Sequence, residues 1–238
     1  MKIVLENVSV CIGNKCIIRD VSLSIDGPGL YFLLGRNGSG KSTLLKTIAG
    51  LMPYTGRILI NGRELREYKR RSLVRLLGFV WQNPFYGFFE SSVEREIRFI
   101  LKNIGDCDDR FWELVEYFGL RGFLKRSPFT LSGGEAKRVE LCSVLIANQQ
   151  IYLMDEPEGE LDLDGLSKLA QFIERESKSR LVVVATHNTL FAYRLRRHIR
   201  KCIFIDHGKI VGVYDPEILE NGDFLARIGV VPIYWWQQ

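Results

Sequence analysis

The chain has 238 residues, 46% hydrophobic and 26% charged, enough to bury one large core or two small ones without a disulfide or metal staple. Its formal charge of +5 is mild, and the basic residues are scattered rather than gathered into a stripe, which argues against direct nucleic-acid binding. Five cysteines (Cys11, Cys16, Cys107, Cys142, Cys202) lack CxxC or zinc-type spacing and read as reduced thiols of a cytosolic protein. No apolar run approaches the roughly 20 residues that span a bilayer, and the opening MKIVLENVSV alternates like a strand without a signal-peptide core.

In chain order, residues 2–10 and 16–25 alternate apolar and polar, predicting a half-exposed antiparallel pair. LYFLL (30–34) is a continuous apolar run suited to a strand buried on both faces. A glycine-rich loop follows, then a helical pattern, STLLKTIAG, stopped by Gly50. GRILING (56–62) reads as a strand ending in an Asn-Gly hairpin turn, and another strand over about 77–81 ends at Gln82. From about 91 to 147 the periodicity is helical. One helix is expected to open at Ser91, with Glu94 completing a capping box, and DDRFWELVEYFGL is amphipathic up to Gly119. Strands resume at 151–154, 181–185 and 202–206, separated by helices, so a mostly parallel, helix-covered sheet is expected.

Three stretches carry chemistry. GRNGSGKST, Gly35 to Thr43, fits G-x-x-x-x-G-K-[ST] and sits after a buried strand and before a helix, where its backbone N–H groups can cradle phosphates. Lys41 would neutralise the β and γ phosphates, and Ser42 could ligate Mg²⁺. IYLMDEPEGELD (151–162) ends an apolar strand in five carboxylates within eight residues. Asp155 suits the acid that completes a magnesium shell, and Glu156 suits a general base. TLSGGEAKRVE places Ser132, Gly133, Gly134 and Glu135 at the N-terminus of a long helix, a second anion-binding arrangement.

This order of motifs resembles the nucleotide-binding domain of ABC ATPases over about residues 2–215. The match consists of the Walker A loop 35–43, the Gln82 loop in VWQNP, the signature LSGGE at 131–135, the Walker B IYLMDE at 151–156, the D-loop GELD at 159–162, and VVVATHN carrying His187. The resemblance implies an α/β P-loop NTPase with a RecA-like core, an N-terminal antiparallel β-subdomain and an inserted α-helical subdomain. Core and β-subdomain would cover about 1–82 and 150–215, helices about 83–149, and a C-terminal tail about 216–238. It also implies that two ATPase domains, identical or not, bury ATP between Gly35, Arg36, Asn37, Gly38, Ser39, Gly40, Lys41, Ser42 and Thr43 of one and Ser132–Glu135 of the other. Ser42, Gln82 and Asp155 would serve Mg²⁺, and Glu156, His187 and Gln82 would serve catalysis. Transmembrane permease subunits would hold the protein peripherally at the cytoplasmic face of the cell membrane.

The sequence departs from the family pattern in two places. The residue expected to stack on adenine aligns with Ile12, which can cover a ring face without π stacking. The D-loop carries Glu158 and Glu160, which are either solvated surface acids or partners of basic residues across the dimer. QNPFYGFFESSVEREIRFILKNIG resembles the energy-coupling-factor and cobalt-type importers, and Phe85, Tyr86, Phe88 and Phe89 cannot all face inward, so some are expected to form a groove for a membrane partner. The alternatives are a soluble ABC ATPase, such as one serving iron–sulfur assembly, and a P-loop kinase, which has no use for LSGGE.

Overall fold

In the computed structural model, which describes residues 1–105 and 109–236, the alternating N-terminal residues pair as a hairpin of β1 (Lys2–Ile12) and β2 (Lys15–Asp26). Ile3, Leu5, Val8 and Val10 face inward and are fully buried, which at about 1.5–3 kcal/mol per large apolar side chain fixes which face is inside. The apolar run becomes β3 (Gly29–Leu34), followed by helix α1 (Lys41–Ile48), β4 (Thr55–Ile60) and the short β5 (Arg63–Glu64). Strands β2-β1-β4-β5 form an antiparallel sheet, and β4 turns into β5 through Asn61 and Gly62, both at positive φ, as the Asn-Gly signal requires.

The chain divides into two units, Met1–Tyr68 with Glu174–Gln238, and Lys69–Ile173. The second contains α2 (Arg70–Leu76), β6 (Leu77–Val80), α3 (Val93–Ile104), α4 (Phe111–Tyr117), α5 (Gly133–Leu145), β7 (Ile151–Asp155) and most of α6 (Leu163–Ser177). Strands β6 and β7 run parallel, with Val80 opposite Met154. The N-cap of α3 is Ser92, not the expected Ser91: Ser92 Oγ accepts from the Arg95 N–H, while Ser91 Oγ accepts from the Arg95 side chain. Two adjacent serines offer the same hydroxyl, and the strand-like backbone of Ser92 selects it.

The chain then completes the first unit with β8 (Leu181–Thr186), α7 (Thr189–Arg194), β9 (Ile199–Asp206), β10 (Lys209–Tyr214) and α8 (Gly222–Arg227). There β3 is flanked in parallel by β8 and β9, and all of its residues but the first are buried. Beyond the expected strands, β9 turns back at His207 and Gly208 into antiparallel β10.

The cysteine expectation is corrected. Cys11 and Cys16 face one another across the β1–β2 ladder and form a disulfide, because the chain reverses between them at Gly13 and Asn14. Cys142 and Cys202 are buried free thiols, and burial pushes the Cys202 thiol up to about 12. Cys107 lies outside the described residues.

Candidate functional site

The loop after β3 and the residue after β8 emerge from the same strand ends, because Leu34 pairs with Thr186. This places Gly35–Gly40 and His187 together at one end of the first unit's sheet. Within the loop, Arg36, Asn37 and Gly38 are exposed, Ser39, Gly40 and Lys41 are buried, and Ser42 and Thr43 are half-buried. Gly40 is the N-cap of α1 at φ 111 and offers no side-chain cap, so the first-turn N–H groups of that helix are not claimed by a capping side chain. Lys41 is only 4% exposed, and its ammonium folds back onto the loop, donating to Gly35 O at 2.8 Å and Arg36 O at 3.1 Å. Ser39 Oγ is buried without a hydrogen-bond partner among the described residues. Arg36 is held by Asp206 at 3.0 Å and also meets His207. Ile12 stands 57% exposed at the tip of the β1–β2 hairpin, opposite Lys15, and His187 is exposed.

In the second unit the paired ends of β6 and β7 deliver Gln82 and the acids Asp155 and Glu156 to one place. Asp155 is fully buried. Glu156 takes a left-handed backbone, φ 45, and its Oε2 accepts from Gln82 Nε2 at 3.0 Å. Ser132 caps α5 in a reciprocal capping box. Glu135 Oε2 accepts from the Ser132 N–H at 2.8 Å and Ser132 Oγ accepts from the Glu135 N–H at 3.4 Å. The Ser132 N–H holds the Glu135 carboxyl below the usual carboxylate range. A cavity of about 210 Å³ beside this turn is lined by Ser132, Gly134, Glu135, Arg138, Glu160 and Asp162. Glu160, at φ 66, lays its carboxylate over Gly133, so close that a Cβ there would stand 2.6 Å from Oε2.

The aromatic cluster splits as the sequence suggested. Phe88 is buried, while Tyr86 (73%) and Phe89 (56%) are exposed. Phe89 packs edge-on against Phe99 at 4.2 Å, and Phe129 adds a further exposed ring beside Phe88. The tail folds back within the first unit: Thr189 Oγ1 donates to Val231 O at 2.6 Å, and the Tyr234 ring covers Gly222.

One pair escaped the sequence reading. Lys137 and Glu140, on α5, are 0% and 2% exposed and form a salt bridge at 3.0 Å. Burial pushes the Glu140 carboxyl up to about 7, against the downward pull of Lys137. The available signal was their i,i+3 spacing amid Ala136, Val139 and Leu141, which puts two charges on a helix with little solvent face.

The family described as ABC transporter matches residues 18–159. An ABC transporter ATP-binding protein of Pyrococcus abyssi is 33% identical over 241 residues, covering 94% of this chain and 85% of that protein. The energy-coupling factor transporter ATP-binding protein EcfA1 of Enterococcus faecalis is 34% identical over 221 residues, covering 90% of this chain and 78% of that protein. The solved structure of cbiO1 from Clostridium perfringens, part of the ABC transporter complex cbiONQ, matches with a TM-score of 0.73 at 23% identity, over 95% of this chain and 96% of that one. The last is a likeness of fold. The chain belongs to the ABC transporter family, as an ATPase.

Proposed function

We propose that this chain is the ATP-hydrolysing subunit of an ABC importer, working as one of two facing ATPase domains, identical or not. The observation that carries the reading is the hydrogen bond from Gln82 to Glu156 at the paired ends of β6 and β7. A sensing amide rests on the carboxylate that would deprotonate water. In this reading the backbone of Gly35–Thr43 cradles the phosphates, and Lys41 exchanges its two carbonyl acceptors for phosphate oxygens. Ile12, exposed at its hairpin tip, covers the adenine face by dispersion alone, so selectivity for adenine over guanine is weak. Ser132–Glu135 of one copy close on the nucleotide of the other.

Among the described residues no group of three or more His, Cys, Asp or Glu makes a cation site by itself. Magnesium in a nucleotide site takes most of its ligands from substrate phosphates and water, with one or two from the protein. Ser42 at the first turn of α1, Gln82 and the buried Asp155 would hold it, Asp155 by coordination or through water, and a carboxylate buried at a strand end would be stabilised by a nearby cation. Magnesium, when bound, would neutralise charge on the β and γ oxygens. Glu156 accepts the proton of the attacking water, and His187, at the end of β8, orients that water.

The exposed rings Tyr86, Phe89, Phe99 and Phe129 offer a seat for a helix of a transmembrane permease subunit. No described helix is long and apolar enough to cross a membrane. In this reading the permease subunit holds the protein at the cytoplasmic membrane face. The likeness to EcfA1, an energy-coupling factor transporter ATP-binding protein, supports a transporter subunit, and the resemblance of QNPFYGFFESSVEREIRFILKNIG to importer ATPases favours an importer.

Glu156→Gln tests the reading. Turnover should fall about 10²–10⁴-fold, and an ATP-bound dimer should accumulate in light scattering. Full turnover in this variant would remove Glu156 as the base. Native extraction from membranes should co-purify a polytopic protein, whereas a purely soluble assembly would point to an assembly-type ATPase.

A further inference from the structure

We propose that Lys137 and Glu140 are positioning residues for hydrolysis, fastening the backbone of Trp81 and Gln82 to helix α5 so that the Gln82 amide is delivered to Glu156. The ammonium of Lys137 has three protons and three acceptors: Trp81 O at 2.6 Å, Gln82 O at 3.0 Å and Glu140 Oε2 at 3.0 Å. Glu140 completes the clamp, its other oxygen accepting the Trp81 N–H. The strand exit after β6 is thus bound at two carbonyls and one N–H by two side chains one helical turn apart.

Such an arrangement is costly unless it does something an apolar pair could not. Taking an ion out of water costs several kcal/mol, and buried ion pairs are often replaceable by apolar residues of equal volume with no loss of stability. Leucine or methionine at 137 and 140 would fill the space, but neither can hold a carbonyl. What the charges add is a fixed address for Gln82, whose side chain ends 3.0 Å from Glu156. The same helix is capped by Ser132, so the backbone of Gln82 and the signature turn are fastened to one helix. Closure on a second domain's nucleotide is thereby communicated to the amide that touches the candidate base.

The inference rests on the assignment of Glu156 and Gln82 given above. The test compares Lys137→Met, Gln82→Ala and the two combined in the full chain, with ATP turnover, binding of a fluorescent ATP analogue and thermal unfolding measured on each. Lys137→Met should lower kcat about ten- to a hundredfold, the scale of an ångström-sized misplacement, and leave nucleotide affinity within about twofold. Adding Gln82→Ala to Lys137→Met should then cost less than about twofold more, because residues acting as a unit are not additive. If Lys137→Met does not fold, the double variant Lys137→Leu with Glu140→Leu carries the same cycle, since two apolar side chains fill the space without leaving a buried charge unpaired and hold neither the Trp81 and Gln82 carbonyls nor the Trp81 N–H.

A folded Lys137 variant with undiminished kcat overturns the proposal. So do full, multiplicative losses from Gln82→Ala in both backgrounds, which would leave the pair a structural element only. Undiminished turnover in Glu156→Gln would instead sink the underlying assignment, so the two failures are distinguishable.

Discussion

Helices α1 and α5 both have glycine at their start, Gly40 as the N-cap of α1 and Gly133 and Gly134 in the first turn of α5, yet their N-termini are finished in opposite ways. The start of α1 is left open: Gly40 supplies the left-handed turn and nothing that could cap. The start of α5 is closed on itself, with Ser132 and Glu135 exchanging hydrogen bonds and the Glu160 carboxylate lying over Gly133. An anion can approach the first turn of α1 without displacing a capping side chain. At α5 it has to compete with bonds the helix already makes and with a like charge beside them. In the proposed site, one half would stand preformed and the other would stay self-satisfied until a partner's phosphates arrive.

The largest effect should come from the open turn. Lys41→Met removes the ammonium that is poised over Gly35 and Arg36. Charge-assisted hydrogen bonds are worth about 1.5–3 kcal/mol each, so nucleotide affinity should drop about thirtyfold or more, read by titration with a fluorescent ATP analogue. Unchanged affinity would mean that α1 is not the preformed half. A smaller effect is expected at the closed turn. Glu135→Ala breaks one arm of the capping box and should cost about 1 kcal/mol of stability in denaturant melts. No loss would mean that α5 starts as openly as α1. The smallest concerns Glu160. In a Glu156→Gln background, Glu160→Gln should tighten ATP-driven association by about twofold, the scale of an exposed charge contact. Weaker association would show instead that Glu160 meets a basic residue of the facing domain.

What could be read from the residues follows the same divide between local and distant causes. The loop Gly35–Thr43 was legible because its conformation depends on its own glycines and its chemistry on one lysine. The placement of Asp155 and Glu156 at a strand end was legible because an apolar run of strand length must end somewhere: Asp155 is the buried last residue of β7 and Glu156 follows it. The Cys11–Cys16 pairing was hidden because register shifts along β1 and β2 interrupt the alternation from which cross-strand partners would be counted. Lys137 and Glu140 were hidden for another reason: charges on a helix read as a solvated face until the neighbours that bury them are known. The antiparallel strand β10 was missed because its burial alternates weakly and its reversal at His207 and Gly208 lacks the Asn-Gly signature that marked β4 and β5.

The bond between Cys11 and Cys16 encloses only the tip of its hairpin, where Ile12 sits. A ring this short removes little freedom from the unfolded chain, on the order of 2 kcal/mol, so it acts as a local splint more than a fastener of the whole fold. Reducing agents should therefore soften the one finger expected to lie against the base of the nucleotide, while leaving Ile3, Leu5 and the rest of the buried ladder in place.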